Sequence, residues 1–460
     1  MTTKYVETTN PATGERLARY DLQTLDEARA VVDRSYDAFK GEWRKIPISK
    51  RAEYFRALAK VLRAGKADYA KQMTLEMGKP ISQAVSEVEK CALSAEVFAD
   101  NAEGWLADKK VQTDAKTSYV TFEPLGVILS IMPWNFPFSQ VFRFSIPSII
   151  AGNTTVLKHS QVCTGSALTV QKIFEEAGFP KGVFNTLVID HETVASLIEH
   201  HDKISGVSLT GSVEVGQRIA SLAGASMKKC VLELGGSDAF VVLGDADISL
   251  AAKGAADSRL LNSGQSCING KRFIVVREVA EEFTERFVGE FEKRRVGDPL
   301  RQDTDVGPLA TANQVHTLEE QVGDALSKQG RIETGARRLE GSVGSYYLPT
   351  IISNAKKEMR VMSEEVFGPV APVLVVEDER EAIAAANNSQ FGLGASLYST
   401  DIQRALSLSS SIEAGMVTIN APVRSDPKMP FGGVKKSGIG RESSKYGLRE
   451  FVNIKSVRAY

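Results

Sequence analysis

The sequence predicts an α/β protein built from two domains with mostly parallel sheets. From about residue 117 onward, short apolar runs alternate with segments of helical periodicity, a pattern typical of βαβ units. A second series of the same kind begins near Phe240, and the pair Gly235–Gly236 lies between the two series. The chain has 460 residues, enough for two or three domains of about 150 residues each.

The first hundred residues are predicted to be mainly helical. Thr24 and Glu27 form a capping box ahead of an amphipathic run that reaches Phe39. A second helix is predicted over 49–62, and a long third helix follows Pro80, where apolar residues recur at helical spacing. We expect these helices to pack on the outside of the first domain.

The two alternating series account for most of the remaining chain. Strands of the first series are predicted over 127–132, 154–157, 182–189, 204–209 and 230–234, with helices over 165–177, 192–199 and 213–223. Strands of the second series are predicted over 240–243, 273–276, 373–376 and 394–397, with helices over 248–261, 281–294, 379–386 and 403–408. Helices between consecutive strands favour parallel pairing in both sheets.

Composition and charge exclude several classes of protein. Lys+Arg is 56 and Asp+Glu is 57, so the charge balance gives no sign of binding to nucleic acid or to an anionic membrane. The four cysteines are dispersed without a C-x-x-C pair, which disfavours structural zinc and fits a reducing compartment. Residues 1–17 lack the apolar core of a signal peptide, and no apolar run is long enough to span a bilayer. We expect a cytoplasmic protein without a metal site.

One cysteine has an unusual local context. Cys267 ends the segment Asn-Ser-Gly-Gln-Ser-Cys over 262–267, which is polar and irregular, whereas a structural cysteine usually belongs to an apolar stripe. Gly264 would let the backbone approach a ligand closely. An exposed thiolate at this position would be a nucleophile, but the residues alone leave open whether Cys267 is reactive or simply a small apolar side chain.

Three further segments are candidates for chemistry at strand ends. Glu233 closes an apolar strand before Gly235–Gly236, where burial would raise its pKa toward that of a general base; a solvent-facing carboxylate is the alternative. Segment 210–216, Thr-Gly-Ser-Val-Glu-Val-Gly, joins a strand to a helix N-terminus that could bind a phosphate, although many such turns contain Gly and Ser. Asn135, within Pro-Trp-Asn-Phe-Pro over 133–137, offers an amide donor for an oxyanion, or belongs to a structural turn.

In combination, these segments resemble the aldehyde dehydrogenase superfamily over nearly the whole chain. The matching motifs follow the family's order: Pro-Trp-Asn-Phe-Pro at 133–137, Lys158, Thr-Gly-Ser-x-x-x-Gly at 210–216, Glu-Leu-Gly-Gly at 233–236, Asn-x-Gly-Gln-x-Cys at 262–267, Glu-Val-Phe-Gly-Pro at 365–369 and Pro-Phe-Gly-Gly at 430–433. The resemblance implies a Rossmann-like dinucleotide-binding domain over 1–105 and 124–235, and an α/β catalytic domain over 236–442. It also implies a small β oligomerisation arm over 106–123 and 443–460, and hence a homodimer or homotetramer.

The resemblance also implies roles for the candidate catalytic residues. Cys267 would attack an aldehyde to form a thiohemiacetal, whose oxyanion the Asn135 amide and the Cys267 backbone N–H would bind. Hydride transfer to a nicotinamide cofactor would leave a thioester, and Glu233 would activate the water that hydrolyses it. A relative that acylates coenzyme A would replace that water, and a non-catalytic structural homologue would be expected to lose one of these three residues, all of which are present.

By the same resemblance, the cofactor is NADP or NAD. Many NAD-preferring members have a Glu three residues after the Lys, whereas this chain has the neutral Gln161 after Lys158. We therefore expect NADP to be accepted or preferred, because a carboxylate there would repel a 2′-phosphate. The residues implied in cofactor binding are Trp134, Lys158, Ser160, Gln161, Gly211, Ser212, Leu234, Glu365 and Phe367.

The likeness within the family is greatest to short-form succinate-semialdehyde dehydrogenases. It extends to segments 138–143, 157–159, 229–238 and 424–426. Arg143 is predicted to bind the distal carboxylate of the small aldehyde substrate, with Ser425 adding a hydrogen bond; a structural ion pair is the alternative for Arg143. Another semialdehyde or an aliphatic aldehyde remains an alternative substrate.

Overall fold

The computed structural model describes residues 4–460 and contains two large, mainly parallel sheets with helices on both faces. Residues 1–3, which begin the segment in which we predict no signal peptide, lie outside the described residues. The predicted α/β class is confirmed by the two parallel sheets. No helix within residues 4–460 is long and apolar enough to cross a membrane.

The secondary-structure elements are numbered in chain order. The strands are β1 Tyr5–Thr9, β2 Arg16–Asp21, β3 Lys109–Lys110, β4 Thr117–Pro124, β5 Val127–Met132, β6 Thr154–His159, β7 Phe184–Leu187, β8 Ile204–Thr210, β9 Lys229–Glu233, β10 Asp238–Val242, β11 Gly270–Val276, β12 Arg331–Thr334, β13 Thr350–Ser353, β14 Val370–Val376, β15 Phe391–Gly392, β16 Gly394–Tyr398, β17 Met416–Ile419, β18 Val434–Lys435, β19 Gly438–Ile439 and β20 Val452–Ala459. The helices are α1 Leu25–Gly41, α2 Ile48–Ala64, α3 Lys66–Met77, α4 Ile81–Trp105, α5 Ser139–Ile150, α6 Thr164–Glu176, α7 His191–His200, α8 Val213–Ala225, α9 Ile248–Leu260, α10 Arg277–Glu292, α11 Ala312–Ser327, α12 Arg360–Ser363, α13 Glu379–Asn387, α14 Ile402–Ser409 and α15 Ser444–Leu448.

The N-terminal segment departs from the mainly helical prediction. The chain begins with an antiparallel hairpin of β1 and β2 before the predicted helices. Val6 and Thr8 alternate inward along β1 while their neighbours face out, the period of a half-buried strand. Gly14 has a φ of 77° in the connecting turn, a backbone conformation that glycine adopts at no steric cost.

The first large sheet contains six strands in the order β19-β9-β8-β5-β6-β7. All of its neighbouring strands are parallel except β19, which is antiparallel to β9. Helix α5 was not predicted because its sequence is mostly apolar and contains Pro147, a residue that is disfavoured inside a helix. The carboxyl ends of β5, β6, β8 and β9 meet at one edge of the sheet, where open α/β sheets bind ligands.

The second large sheet contains seven strands in the order β12-β13-β14-β11-β10-β16-β17. Its core pairs β10/β11 and β10/β16 are parallel, and only the edge strand β12 is antiparallel. Apolar clusters fill both faces of each large sheet, so each sheet has its own core. Strand β19 comes from a late part of the chain but pairs with β9, which ties the two halves together beside Glu233.

A separate three-stranded antiparallel sheet has the order β20-β4-β3. Its strands come from the two segments that the resemblance assigns to an oligomerisation arm, and β20 pairs with β4 over its whole length. Strand β20 lies at the edge of this sheet and carries the exposed Ile454. The assembly role of the sheet, like the division into three parts, stays a prediction.

Candidate active site

The loop after β5 holds the Asn135 amide in one orientation. The Asn135 Oδ1 atom accepts a hydrogen bond from Gln140 Nε2 at 2.8 Å, and Nδ2 donates to the carbonyl oxygen of Gln265 at 3.1 Å. The side chain is buried. Because an amide nitrogen carries two hydrogens, one N–H of Asn135 remains without an acceptor among residues 4–460, and it is available to a ligand.

The segment before Cys267 follows an irregular path. Asn262 and Ser263 have φ values of 53° and 55°, and Gly264 follows at 81°. A Cβ at Gly264 would lie 2.2 Å from the Gly368 carbonyl oxygen, so only glycine fits there. The Asn262 side chain stabilises the path by donating to the Asn135 carbonyl at 2.7 Å. Left-handed conformations of this kind cost roughly 1–3 kcal/mol each and cluster at functional sites.

Cys267 lies where two cavities meet. The first, of about 350 Å³, is called the Arg143 cavity and includes Arg143, Lys90, Ser425 and Phe431 in its wall. The second, of about 230 Å³, is called the Trp134 cavity. Cys267 and Gln140 are the two residues that line both. A thiol at such a junction can reach a molecule in either cavity.

Burial controls the protonation of the Cys267 thiol. It raises the pKa of Cys267 to about 12, while the positive charges of Lys271 and Arg143 act in the opposite direction. Lys271 Nζ donates to the Cys267 carbonyl oxygen at 2.7 Å and pairs with Glu365 Oε1 at 2.9 Å. In the absence of a ligand the thiol is therefore protonated at neutral pH.

Glu233 ends β9 as a buried carboxylate without partners. Neither of its oxygens has a hydrogen-bond partner within residues 4–460. Burial raises the pKa of Glu233 well above its usual range, and the nearby charge of Glu442 raises it further. A Cβ at Gly432 would lie 2.5 Å from Glu233 Oε1, so the glycine makes room for the carboxylate. The solvent-facing alternative for Glu233 is excluded by its burial.

Arg143 forms an ion pair but keeps a free N–H group. Its Nε donates to Glu442 Oε2, and its guanidinium carbon lies 4.0 Å from the centre of the Phe431 ring. Its buried Nη2 atom has no partner in residues 4–460. The structural ion pair that the sequence left open is present, and the same side chain still lines the cavity that contains Cys267.

Ser425 lies in the Arg143 cavity and contacts a residue that the sequence analysis did not select. The Ser425 Oγ atom accepts a hydrogen bond from Lys90 Nζ. Lys90 belongs to α4, more than three hundred positions earlier in the chain. Burial lowers the pKa of Lys90, and the charge of Arg143 lowers it further.

Most of the residues implied in cofactor binding line the Trp134 cavity. The Trp134 and Phe367 rings meet edge to face, with their centres 5.7 Å apart. Glu365 is oriented by Lys271 and by the Gly236 N–H at 3.1 Å. The cavity is lined further by Gly211, Ser212, Leu234 and Glu365.

The base of this cavity has the polar character that a nucleotide requires. Ser212 caps α8 by accepting from the Val215 N–H at 3.4 Å. Thr210 lines the cavity, and its buried Oγ1 has no partner in residues 4–460. A free hydroxyl beside a helix N-terminus fits a phosphate-containing ligand.

Three implied cofactor residues lie outside the cavity, at the neighbouring end of β6. Lys158 pairs in register with Ile131 of β5, and burial lowers its pKa. Ser160 caps a short 3₁₀ turn by accepting from the Val162 N–H at 3.4 Å, and Gln161 is exposed beside it. The parallel pairing of β5 and β6 places all three at the same edge of the sheet as Trp134.

His159, which lies between Lys158 and Ser160 in the chain, is held in its neutral form. Its Nδ1 accepts from the Ser160 N–H at 2.8 Å, and its Nε2 lies 2.9 Å from the Pro137 carbonyl oxygen, so Nε2 carries the proton. Burial lowers the pKa of His159 to about 4. The ring thereby links the end of β6 to the loop that carries Asn135.

Comparison with protein families matches residues 1–457 to the aldehyde dehydrogenase family model. The chain belongs to the aldehyde dehydrogenase family. This confirms the resemblance recognised in the sequence.

Similar family members cover almost the whole chain. A probable succinate-semialdehyde dehydrogenase (NADP(+)) of Synechocystis sp. is 45% identical and spans 98% of this chain and 99% of its own. Succinate semialdehyde dehydrogenase (NAD(P)+) Sad of Escherichia coli is 41% identical over 97% of this chain and 96% of its own. The crystal structure of a succinic semialdehyde dehydrogenase from Streptococcus pyogenes in complex with NADP+ is 37% identical, has a TM-score of 0.95, and covers 98% of this chain and 99% of its own.

Sequence reasoning missed three charged residues of the site. Lys271 lies in strand β11, shortly after Cys267 in the chain, and Glu442 lies in a late loop. Lys90 is the only basic residue of α4, a weak signal in a helix that also carries exposed acidic residues. None of these residues has a local motif, since each is brought to Cys267 or Arg143 by tertiary structure. Residues 4–460 contain no cluster of three or more side chains suited to a metal ion.

Proposed function

We propose that this protein oxidises succinate semialdehyde to succinate, with NADP or NAD as the cofactor and NADP preferred. The observation that carries the proposal is the place of Cys267, between a cavity lined by cations and a cavity lined by Trp134, Ser212 and Glu365. The names of the Synechocystis and Escherichia coli relatives, and of the Streptococcus pyogenes structure, support the same substrate and cofactor.

In the first step Cys267 binds the aldehyde covalently. The Cys267 sulfur attacks the carbonyl carbon, and the free N–H of Asn135 together with the Cys267 backbone N–H binds the oxyanion of the thiohemiacetal. The raised pKa of the free thiol means that the thiol proton must pass to solvent water as the C–S bond forms. The bound nicotinamide supplies an acceptor for the hydride. Loss of the hydride converts the thiohemiacetal to a Cys267 thioester.

In the second step Glu233 activates water. Its buried carboxylate takes a proton from a water molecule, which attacks the thioester carbonyl. The C–S bond then breaks, Glu233 returns the proton to the sulfur, and the carboxylic acid and the Cys267 thiol are released. The raised pKa of Glu233 makes the carboxylate a stronger base than an exposed one. The lack of protein partners leaves both of its oxygens free for the water.

Cofactor preference is proposed to depend on the end of β6. Lys158 would bind the ribose, with Ser160 and Gln161 close to the 2′ position, where the neutral Gln161 does not repel a phosphate. Ser212 would lie near the pyrophosphate and Gly211 and Leu234 beside it, while Glu365 and Phe367 would hold the nicotinamide end with Trp134. A lower KM for NAD than for NADP would contradict this preference.

The polar groups of the Arg143 cavity support recognition of a carboxylate. Arg143 Nη2 is buried and unpaired, so it can donate to the distal carboxylate while Nε stays bound to Glu442. Ser425 lines the same cavity and adds a polar contact. These features favour a short aldehyde with a terminal carboxylate over a short aldehyde without a charged group.

The protein is further proposed to be a cytoplasmic homodimer or homotetramer. Its four cysteines are all free, which is the state kept in a reducing compartment. The exposed edge of β20 offers backbone groups to a second copy. Light scattering of the purified protein tests the assembly.

A panel of aldehydes tests the function directly. Formation of reduced cofactor is measured with NADP and with NAD against succinate semialdehyde, glutarate semialdehyde and butanal, with Cys267→Ala as the control. Turnover of succinate semialdehyde that is lost in the variant supports the proposal. Turnover of butanal alone would overturn the substrate, and activity only with added coenzyme A would overturn the role of water.

A further inference from the structure

The wall of the Arg143 cavity includes a second cation, the half-buried Lys90, which has no carboxylate partner within residues 4–460. Lys90 lines the cavity, and its Nζ atom makes one hydrogen bond within residues 4–460, to Ser425 Oγ. No salt bridge to Lys90 occurs in the same residues. Buried ammonium groups are normally paired, because a charge removed from water is costly without a partner. Lys90 is half-buried, lines a cavity and keeps two ammonium hydrogens without an acceptor, and this combination points to an anionic ligand.

The carboxylates near Lys90 are bound to other groups or exposed to solvent. Glu87, one turn earlier on α4, is paired with Lys79 and accepts hydrogen bonds from the backbone N–H groups of Phe138 and Ser139. Asp257 also lines the cavity but binds Lys253 and Arg294. Of the carboxylates that raise the pKa of Lys90, Glu87 is engaged in this way and Asp426 is exposed.

Lys90 and Arg143 both contribute positive charge to the wall of the same cavity. The charge of Arg143 adds to the effect of burial in lowering the pKa of Lys90. Glu442 neutralises one side of Arg143 but leaves Nη2 free. Two cations with unfilled donors, in a cavity of about 350 Å³ that also contains Cys267, match a short molecule with an anionic end.

We infer that Lys90, oriented by Ser425, is a specificity-determining residue whose ammonium group binds the distal carboxylate of the aldehyde together with Arg143 Nη2. Ser425 then acts through Lys90, since its Oγ already accepts one ammonium hydrogen. The remaining hydrogens are free to meet the carboxylate. An aldehyde without a carboxylate leaves the Lys90 charge and the Arg143 Nη2 donor without an acceptor and is disfavoured. This inference rests on the proposed function for its substrate, but not for its anion site.

Two substitutions of Lys90 and one control substitution separate the effect of charge from that of side-chain packing. Lys90→Met removes the charge and keeps the length, Lys90→Arg keeps the charge, and Lys71→Met removes an exposed lysine of α3 as the matched control. Kinetics with succinate semialdehyde and butanal are compared for all four proteins. Circular dichroism and thermal unfolding verify that each variant folds.

The expected result is a change in KM that depends on the substrate carboxylate. Lys90→Met raises KM for succinate semialdehyde by about tenfold or more with little change in kcat, since a hydrogen bond to a charged group is lost. The same variant leaves KM for butanal unchanged or lower. Lys90→Arg restores part of the loss, and Lys71→Met behaves as the unsubstituted enzyme. Equal effects of Lys90→Met on both aldehydes would overturn the inference.

A binding measurement makes the inference independent of turnover. Titration calorimetry with succinate measures the anion site in the cofactor-free enzyme. Weaker binding of succinate to Lys90→Met, with unchanged binding to Lys71→Met, supports the anion site even if succinate semialdehyde proves a poor substrate. Unchanged succinate binding to Lys90→Met would overturn it even if succinate semialdehyde is oxidised rapidly.

Discussion

The side-chain amide of Asn135 donates a hydrogen bond to the carbonyl oxygen of Gln265 at 3.1 Å, and this contact joins the loop after β5 to the segment that presents Cys267. The two residues are 130 positions apart in the chain. Gln140 fixes the other end of the amide, so Nδ2 faces the segment that leads to the thiol. The proposed oxyanion donor and the segment of the proposed nucleophile are therefore joined by hydrogen bonds.

Removal of the Asn135 amide is expected to slow the chemical step. Asn135→Ala loses the N–H proposed to bind the oxyanion, and kcat should fall by about 10²- to 10³-fold. Gln140→Ala removes only the contact that orients the amide, so its effect should be smaller. Steady-state kinetics with succinate semialdehyde measure both variants. A larger loss in Gln140→Ala than in Asn135→Ala would contradict this assignment.

The reactivity of Cys267 in the free enzyme should depend strongly on pH. Burial raises its pKa to about 12, so the thiolate fraction increases with pH throughout the neutral and mildly alkaline range. Alkylation by iodoacetamide should accelerate by about tenfold for each pH unit. Mass spectrometry of the modified peptide measures the rate, with Cys267→Ala as the control for the other three cysteines. A rate independent of pH would show that the thiol is already ionised.

Substitution of Glu233 should separate hydride transfer from hydrolysis. In Glu233→Gln the thioester still forms, but no carboxylate activates water, so turnover should fall by about 10²- to 10⁴-fold. Stopped-flow measurement should show a burst of reduced cofactor followed by slow turnover. In the unsubstituted enzyme, hydrolysis should slow as pH falls, because the raised pKa of Glu233 leaves its carboxyl protonated. Absence of the burst would assign Glu233 to an earlier step.

The end of β6 offers a test of cofactor preference. Gln161→Glu introduces a carboxylate at the position proposed to face the 2′-phosphate, and KM for NADP should rise by about tenfold relative to KM for NAD. Gln161→Leu serves as the uncharged control and should leave the ratio closer to that of the unsubstituted protein. An unchanged ratio of the two KM values in Gln161→Glu would indicate that the 2′-phosphate does not bind near residue 161.

The buried pair of Lys79 and Glu87 is expected to stabilise the site. Lys79 also lies 3.8 Å from the centre of the Phe136 ring, and Glu87 binds the first N–H groups of α5. Lys79→Met leaves the Glu87 charge buried without its cation and should lower the free energy of unfolding by about 3–5 kcal/mol. Urea unfolding measures the change.

The exposed pair of Arg277 and Glu377 supplies the matched control. Arg277→Ala should leave the urea midpoint nearly unchanged, because water screens an exposed pair. If both substitutions had the same small effect, the buried pair would not be a stabilising element of the active-site loop.

Most of the regular elements of the two large sheets were predictable because local patterns specify them. Strands β5, β8 and β9 are short apolar runs, and α7 and α8 begin at the capping residues Asp190 and Ser212. The hairpin of β1 and β2 was missed because its alternation is brief and polar. Helix α5 was missed because Pro147 lies inside it and proline is disfavoured in a helix interior.

The site was predictable only where its residues lie in motifs. Cys267, Glu233 and Asn135 were selected from strand ends and an irregular polar segment, and the structure brings Asn135 close to the Cys267 segment. Their catalytic roles stay predictions. Lys90 and Glu442 have no local signal, since their importance comes from Ser425 and Arg143, which are distant in sequence.

The sequence by itself determined the α/β class and membership of the aldehyde dehydrogenase family, because alternating apolar and helical segments and the order of the strand-end motifs are local properties. Only the tertiary structure decided that Cys267 lines two cavities, that Arg143 pairs with Glu442, and that Lys90 lines the Arg143 cavity without a carboxylate partner among residues 4–460. Burial, pairing and pKa depend on which distant segments pack together. Those contacts form only when the two sheets and the late loops assemble around the thiol.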